Sequence, residues 1–174
     1  MSLYAGPRGG YFETSDPGEE GYPGKPPRGG IDDSEGRILS ILSRGKKVLE
    51  IGTGLGISTK YLAQTAASVD TVDPDPWVKS DVSPKLPENV CFHETIPQGS
   101  RYDLIFLDGN HAAASVVSDF EACRPLLHET SIVVFHDLFL ETVREGIERL
   151  RIELDLILET PFRLGIYWPS APWR

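Results

Sequence analysis

Val48-Leu49-Glu50-Ile51-Gly52-Thr53-Gly54-Leu55-Gly56 decides the fold of this chain. Its first four residues are an apolar run broken by a single acid, the pattern of a short buried strand. Three alternating glycines follow, and residues 58–67 then read as a helix with Tyr61 and Leu62 inward. Glycines between a strand and a helix permit a tight turn and let a ligand approach the backbone closely. A dinucleotide turn would place a further glycine where this chain has Ile57, and Glu50 would repel a pyrophosphate. A carboxylate at that strand end suits a ligand with a cationic end.

The next strand, residues 69–72, closes on Asp73-Pro74-Asp75-Pro76. Asp73 stands 21 residues after Gly52, where a strand-end carboxylate can accept both hydroxyls of a ribose. That spacing suits a dinucleotide or an adenosine. A glycine loop alone is a weak signal; joined to Glu50 and Asp73 it is a specific one.

Working outward, Asp32, Asp33 or Ser34 can cap a helix running to about Ser43, with Ile38, Leu39, Ile41 and Leu42 on its buried side. Residues 77–89 hold two prolines and read as loop with one helical turn at most. Residues 90–93, 102–107 and 132–135 read as strands, and residues 112–127 and 141–153 as helices. Residues 156–160 and 164–168 read as two strands joined through Pro161-Phe162. Strands alternating with helices, the early ones uniformly apolar, predict an α/β domain over residues 31–174: a mostly parallel sheet with helices on both faces. The last strand pair has no helix between its members, so that edge is expected to be antiparallel.

Residues 1–30 differ, with thirteen glycines or prolines and few apolar side chains. Such a segment cannot offset its own ordering entropy by burial. Its Tyr4, Tyr11, Phe12 and Tyr22 suit either a loose tail or an arm over a pocket or a partner subunit, which permits a homo-oligomer. The formal net charge of −9 disfavours a nucleic-acid partner and makes a small molecule the expected substrate. No apolar run reaches the roughly 20 residues of a membrane span. The N-terminal residues lack the apolar stretch of a secretory signal, so a cytoplasmic protein is expected. Cys91 and Cys123 lie in apolar contexts without a CxxC pattern and read as reduced core thiols.

A second constellation is Asp108-Gly109-Asn110-His111 with His136-Asp137. Each group ends an apolar strand, and neighbouring strands of a parallel sheet open into one crevice. Group transfer to a hydroxyl needs that oxygen deprotonated and held in line. Asp108, His136 and Asp137 could hold a divalent cation for this, with Mg²⁺, Mn²⁺, Fe²⁺ or Zn²⁺ matching the donors. His111 is the candidate base and Asp108 the second candidate catalytic residue. The same strand-end residues also serve as ordinary loop and helix caps in many proteins. His93, His128 and the sheet-covering Trp168 and Trp173 read as remote from this chemistry.

Residues 48–63, VLEIGTGLGISTKYLA, resemble the first motif of class I S-adenosylmethionine-dependent methyltransferases, especially small-molecule O-methyltransferases. Glu35-Gly36 resembles the helix ahead of that motif and VDPDP the motif after it; the resemblance spans about residues 31–168. It implies a Rossmann-like three-layer sandwich with a seven-stranded sheet. It implies S-adenosylmethionine as cofactor, with Glu50, Gly52, Thr53 and Gly54 around the aminoacyl part and Asp73 on the ribose. Pro74 or Asp75 would lie beside the adenine, with Glu94 or Thr95 as further lining, and Asp108 at the edge towards the acceptor. Metal-dependent members acting on catechols and sugars carry an Asp like Asp108, an acidic or amide pair at the next strand end, and a base three residues after the Asp. His111 is similar to the sugar-type base at that position. His136 departs from the pattern, in which an acid is usual, so the metal set here is an expectation to be tested by structure. The activity implied is transfer of a methyl group to an oxygen of a small acceptor. A metal-free N- or C-methyltransferase, or a noncatalytic cofactor-binding domain, stays compatible with the same residues.

Overall fold

The nine-residue stretch quoted first forms the centre of the sheet and the turn above it. In the computed structural model residues 30–170 are described, preceded by two three-residue strands, Leu3–Ala5 and Tyr11–Glu13, paired antiparallel. The remainder of the Gly/Pro-rich arm, with its expected covering role, and Trp173 lie outside the described residues.

The domain runs α1 (Asp33–Ser43), β1 (Lys47–Ile51), α2 (Ile57–Ala63), β2 (Ser68–Val72), β3 (Val90–His93), β4 (Tyr102–Leu107), α3 (Ala113–Cys123), β5 (Leu127–Phe135), α4 (Glu141–Leu150), β6 (Leu156–Leu158) and β7 (Leu164–Tyr167). The sheet order is β3-β2-β1-β4-β5-β7-β6. β1 pairs parallel with β2 and β4, and β5 parallel with β4. β7 runs antiparallel between β5 and β6, so the expected antiparallel edge is present. The α/β three-layer sandwich with a mostly parallel seven-stranded sheet is thus the observed architecture.

Two clusters explain why β1, β4 and β5 lack alternation: both of their faces are covered. On one face Leu49, Ile51, Ile105, Leu107, Val133 and Phe135 pack under Val116, Phe120, Val143 and Ile147 of α3 and α4. On the other, Val48, Val69, Leu104, Phe106 and Val134 pack under Leu39 of α1 and Leu62 of α2. Asp32 caps α1 through a capping box with Glu35.

Boundaries move where side chains take over backbone bonds. α2 stops at Ala63, short of the expected residue 67, because the Ser43 hydroxyl bonds Leu62 O at 3.1 Å and Ala67 N turns to Lys46 O at 2.9 Å. Pro125 has no N–H to continue the helical ladder, so α3 ends at Cys123 and passes through the tighter turn Arg124–Leu126 into a longer β5. α4 ends at Leu150 on a left-handed Arg151 rather than at residue 153. Residues 78–85 form two short helical turns, Val78–Val82 and Ser83–Lys85, against the single turn expected. Cys123 is buried as expected, but Cys91 is exposed: β3 is an edge strand, and its side chains alternate between core and surface. Among the described residues no helix is long and apolar enough to cross a membrane.

Candidate active site

The glycine loop crosses directly over the end of β4. A Cβ on Gly52, at φ 96°, would lie 2.1 Å from the Asp108 carbonyl oxygen, so only glycine fits there. Gly52 N donates to Val72 O at 2.9 Å, tying the loop to β2. Gly54 N donates to Asp73 Oδ2 at 3.0 Å, and Asp75 N to Asp73 Oδ1 at 2.9 Å. Among the described residues a Cβ on Gly54 would meet nothing within 4 Å, so they leave the space above the loop open. Asp73 therefore sits half-buried at the rim of an open cradle, with Pro74 and Asp75 exposed beside it.

Glu50 lies beneath this loop and is fully buried. Its Oε2 accepts the hydroxyls of Thr59 at 2.5 Å and Thr71 at 2.6 Å, while Oε1 has no partner. Burial, with the nearby charge of Asp108, lifts its carboxyl to about 7 against the bonds from Ser58, Thr59 and Thr71. Thr53 turns its hydroxyl inward onto Thr71 Oγ1 at 2.7 Å, which leaves its backbone to face the cradle. Glu94 pairs with Lys79 at the surface, and Thr95 is also exposed.

Beside the cradle, β4 and β5 deliver Asp108, His136 and Asp137, and the turn after β4 delivers His111. His136 is buried, with Nδ1 at 2.9 Å from Asp108 Oδ1 and 3.2 Å from Asp137 Oδ2. Its Nε2 lies 3.2 Å from Glu35 Oε2. Burial alone would lower the His136 pKa, but the Asp108 and Asp137 charges and bonds raise it well above the ordinary value. Both of its ring nitrogens thus face carboxylates, which favours the protonated ring. Burial would raise Glu35, yet its bond and charge interaction with His136 bring it below the usual carboxylate value. Glu35 also accepts Asp32 N and Phe162 N, each at 3.0 Å.

His111 Nε2 is 2.7 Å from Asp137 Oδ2, and the imidazole is 37% exposed towards a cleft lined by Asp108, Asn110, Asp119 and Phe135. Burial pulls its pKa down, but the bond and charge of Asp137 outweigh that and leave it raised. Asp137 is opposed by burial and then held well below the carboxylate range by His136 and His111. Burial raises Asp108 despite His136 beside it. Asp137 adopts φ 56°, a left-handed backbone uncommon outside glycine, and it aims this carboxylate between two imidazoles.

Sequence reading brought Asp108, His111, His136 and Asp137 together, and the structure does so. It assigns them differently. The ligand atoms that converge within 4.8 Å belong to Asp108, His111 and Asp137. His136 lies outside that set, with both ring nitrogens facing carboxylates. Glu35 entered the sequence reading only through the resemblance of Glu35-Gly36 to the helix ahead of the first motif; its contact with His136, 101 residues away, carries no local signal.

The profile of a methyltransferase domain family matches residues 49–138, just over half of the chain. No curated protein matches it. Among solved structures, the O-methyltransferase TomG of Streptomyces achromogenes superimposes with a TM-score of 0.67 at 18% identity, covering 80% of this chain and 81% of that one. An O-methyltransferase from Bacillus cereus gives 0.62 at 19% identity over 80% and 81%. The N-methyltransferase NodS of Bradyrhizobium japonicum gives 0.59 at 16% identity over 76% and 91%. These similarities carry the fold, and the profile carries the family: the chain belongs to the methyltransferase domain family and has the fold of class I S-adenosylmethionine-dependent methyltransferases.

Proposed function

We propose that this protein transfers the methyl group of S-adenosylmethionine to a hydroxyl oxygen of a small metabolite, with His111 as the proton acceptor. The observation that carries the reading is the 2.7 Å pair of His111 Nε2 with Asp137 Oδ2, next to an Asp108 whose backbone abuts the glycine loop. Cofactor cradle and base are thereby adjacent. The cradle fits the cofactor: the open space over Gly54 admits it, Asp73 suits its ribose, and the unpartnered Glu50 Oε1 suits its ammonium end. Asp137 fixes the His111 ring through Nε2–H, leaving the other ring nitrogen to take the hydroxyl proton as oxygen attacks the methyl carbon and sulfur leaves. His136 supplies a fixed positive charge that keeps Asp108 and Asp137 in place. The net charge of −9 supports a small acceptor over a phosphate polymer.

A second reading rests on the convergence of Asp108, His111 and Asp137 within 4.8 Å. That mixed oxygen and nitrogen set fits Mn²⁺, Fe²⁺ or Zn²⁺. A cation there would polarise the acceptor hydroxyl, and His111 would then be a ligand rather than the base.

The test is an acceptor screen of catechols, phenols and sugar hydroxyls read as S-adenosylhomocysteine formed, with and without a chelator. Turnover that survives chelation and is lost in His111→Asn supports the base reading. Turnover abolished by chelation and restored by Mn²⁺ or Zn²⁺ selects the metal reading. Tight binding of S-adenosylhomocysteine without turnover of any acceptor would overturn both in favour of a noncatalytic cofactor-binding domain.

A further inference from the structure

Asp70, Cys91 and His93 form a second cluster, away from the cofactor cradle. Asp70 on β2 pairs directly across from Cys91 on β3, and His93 lies two residues on. Side chains two apart on a strand share a face, so all three project to the side that α3 and α4 cover further along the sheet. Among the described residues no helix covers them here, because residues 94–101 connect β3 to β4 through bends and irregular backbone. The ligand atoms of the three residues lie within 4.8 Å of one another. His93 Nε2 is 2.7 Å from Asp70 Oδ1, with side chains 27% and 17% exposed, while Cys91 is open to solvent. The other Asp70 oxygen accepts the Tyr102 hydroxyl at 2.9 Å. Asp70 is thus held from behind by a buried tyrosine, as carboxylate ligands of metals commonly are.

The structure assigns to Asp70, Cys91 and His93 a surface site for a zinc-class divalent cation, separate from the methyl-transfer site. One thiolate, one imidazole and one carboxylate are the three donor types zinc prefers, and three protein ligands leave a fourth position for water or a partner's side chain. Bonds of about 2.0–2.3 Å require the three donor atoms to close towards one another, and the Asp70–His93 pair to open around the ion. Both are side-chain adjustments on an uncovered strand edge. Binding releases the Cys91 thiol proton and the proton between His93 Nε2 and Asp70 Oδ1, so affinity rises with pH. CxxC-type spacing does not reveal such a site, since Cys91 and His93 are two apart in an extended strand and Asp70 arrives from the neighbouring one.

Titration of the reduced, metal-free protein with Co²⁺ tests it, because a thiolate on cobalt gives a near-ultraviolet charge-transfer band that carboxylate and imidazole ligands do not. One equivalent should produce that band together with intense visible absorption of a four-coordinate ion, and Zn²⁺ should displace both. Cys91→Ser should abolish the charge-transfer band, and His93→Ala should weaken Zn²⁺ binding at least as strongly. Tyr102→Phe should weaken it roughly tenfold. Asp108→Asn, in the other cluster, should leave the band unchanged. Circular dichroism on each variant separates a lost ligand from a lost fold. Absence of the band in the wild-type protein, or its persistence in Cys91→Ser, would overturn the assignment.

Discussion

His111 and Asp137 separate chemistry from binding at the level of single residues. In the proposed mechanism the base is neutral His111; Asp137 holds this imidazole above its ordinary value, so the neutral ring is populated only as pH rises through that raised value. Turnover should therefore climb with pH on the alkaline side of 6.5, and Asp137→Asn should move that limb towards lower pH while lowering its plateau. Removal of a positioned general base typically costs about 10²–10⁴ in rate. His111→Asn should show a loss of that size in kcat with the Kd for S-adenosylhomocysteine within about twofold of wild type. A parallel loss of cofactor affinity would make His111 a structural residue. Glu50 gives a different pH signature. Its carboxyl sits at about 7 in the fold against an ordinary value of 4.5, so the folded protein keeps the proton to higher pH than the unfolded chain. That contribution is complete below about 4.5 and is lost as pH rises through about 7, on the order of 3 kcal/mol in all. Glu50→Gln should keep the proton's hydrogen-bonding capacity at every pH. Its Tm relative to wild type should thus rise across this window in cofactor-free protein, and a constant difference would place the titration elsewhere.

Among elements, the α3–α4 crossing is a close contact that a single methyl would disturb. A Cβ on Gly146 of α4 would lie 2.8 Å from Val116 Cβ and 3.0 Å from the Ala113 carbonyl oxygen, and the backbone atom cannot rotate away. Gly146→Ala gains roughly 1 kcal/mol of helix propensity but overpacks the crossing by about 1–3 kcal/mol. Thermal unfolding should show a net fall of up to several degrees; a rise would mean that the two helices separate freely. Nothing in the sequence marks this glycine, whereas Val143, Ile147 and Leu150 on the same helix announce its buried side by their spacing. The contrast holds for the whole fold. Periodicity and glycine placement made β1, α2, β2 and the β4 and β5 strand ends legible, because burial on both faces and a tight turn each demand particular residue types. Helix ends were less legible, since Ser43 and Pro125 set them through contacts or backbone limits that propensity does not weigh. At the site, Asp108, His111, His136 and Asp137 were legible as a group from their strand-end positions. Their division into a pair of half-exposed His111 with buried Asp137 and a Glu35–His136–Asp108 chain was not, because it depends on α1 docking over β5.

For the molecule as a whole, any ligand that binds only the folded state is linked to folding. The glycine loop ties β1 to β2 through Gly52 N and to Asp73 through Gly54 N, and it abuts the end of β4. A ligand seated on that loop braces three neighbouring strands of the sheet. Ligand at a hundredfold excess over Kd adds about 2.7 kcal/mol to the folded state. For a chain of this size that corresponds to a rise in Tm of roughly 5–11 °C. S-adenosylhomocysteine should produce such a rise in wild-type protein. Asp73→Ala should bind more weakly by the roughly 1.5–3 kcal/mol of a charge-assisted hydrogen bond, so the same ligand concentration should give only a small shift. The variant's own Tm without ligand controls for the lost Gly54 N–H bond. Adenosine alone should recover part of the wild-type shift, since it offers the ribose to Asp73 but no ammonium to Glu50. An equal shift in wild type and Asp73→Ala would place the nucleoside away from β2, and no shift with any of these ligands would mean that the family's fold is present here without its cofactor.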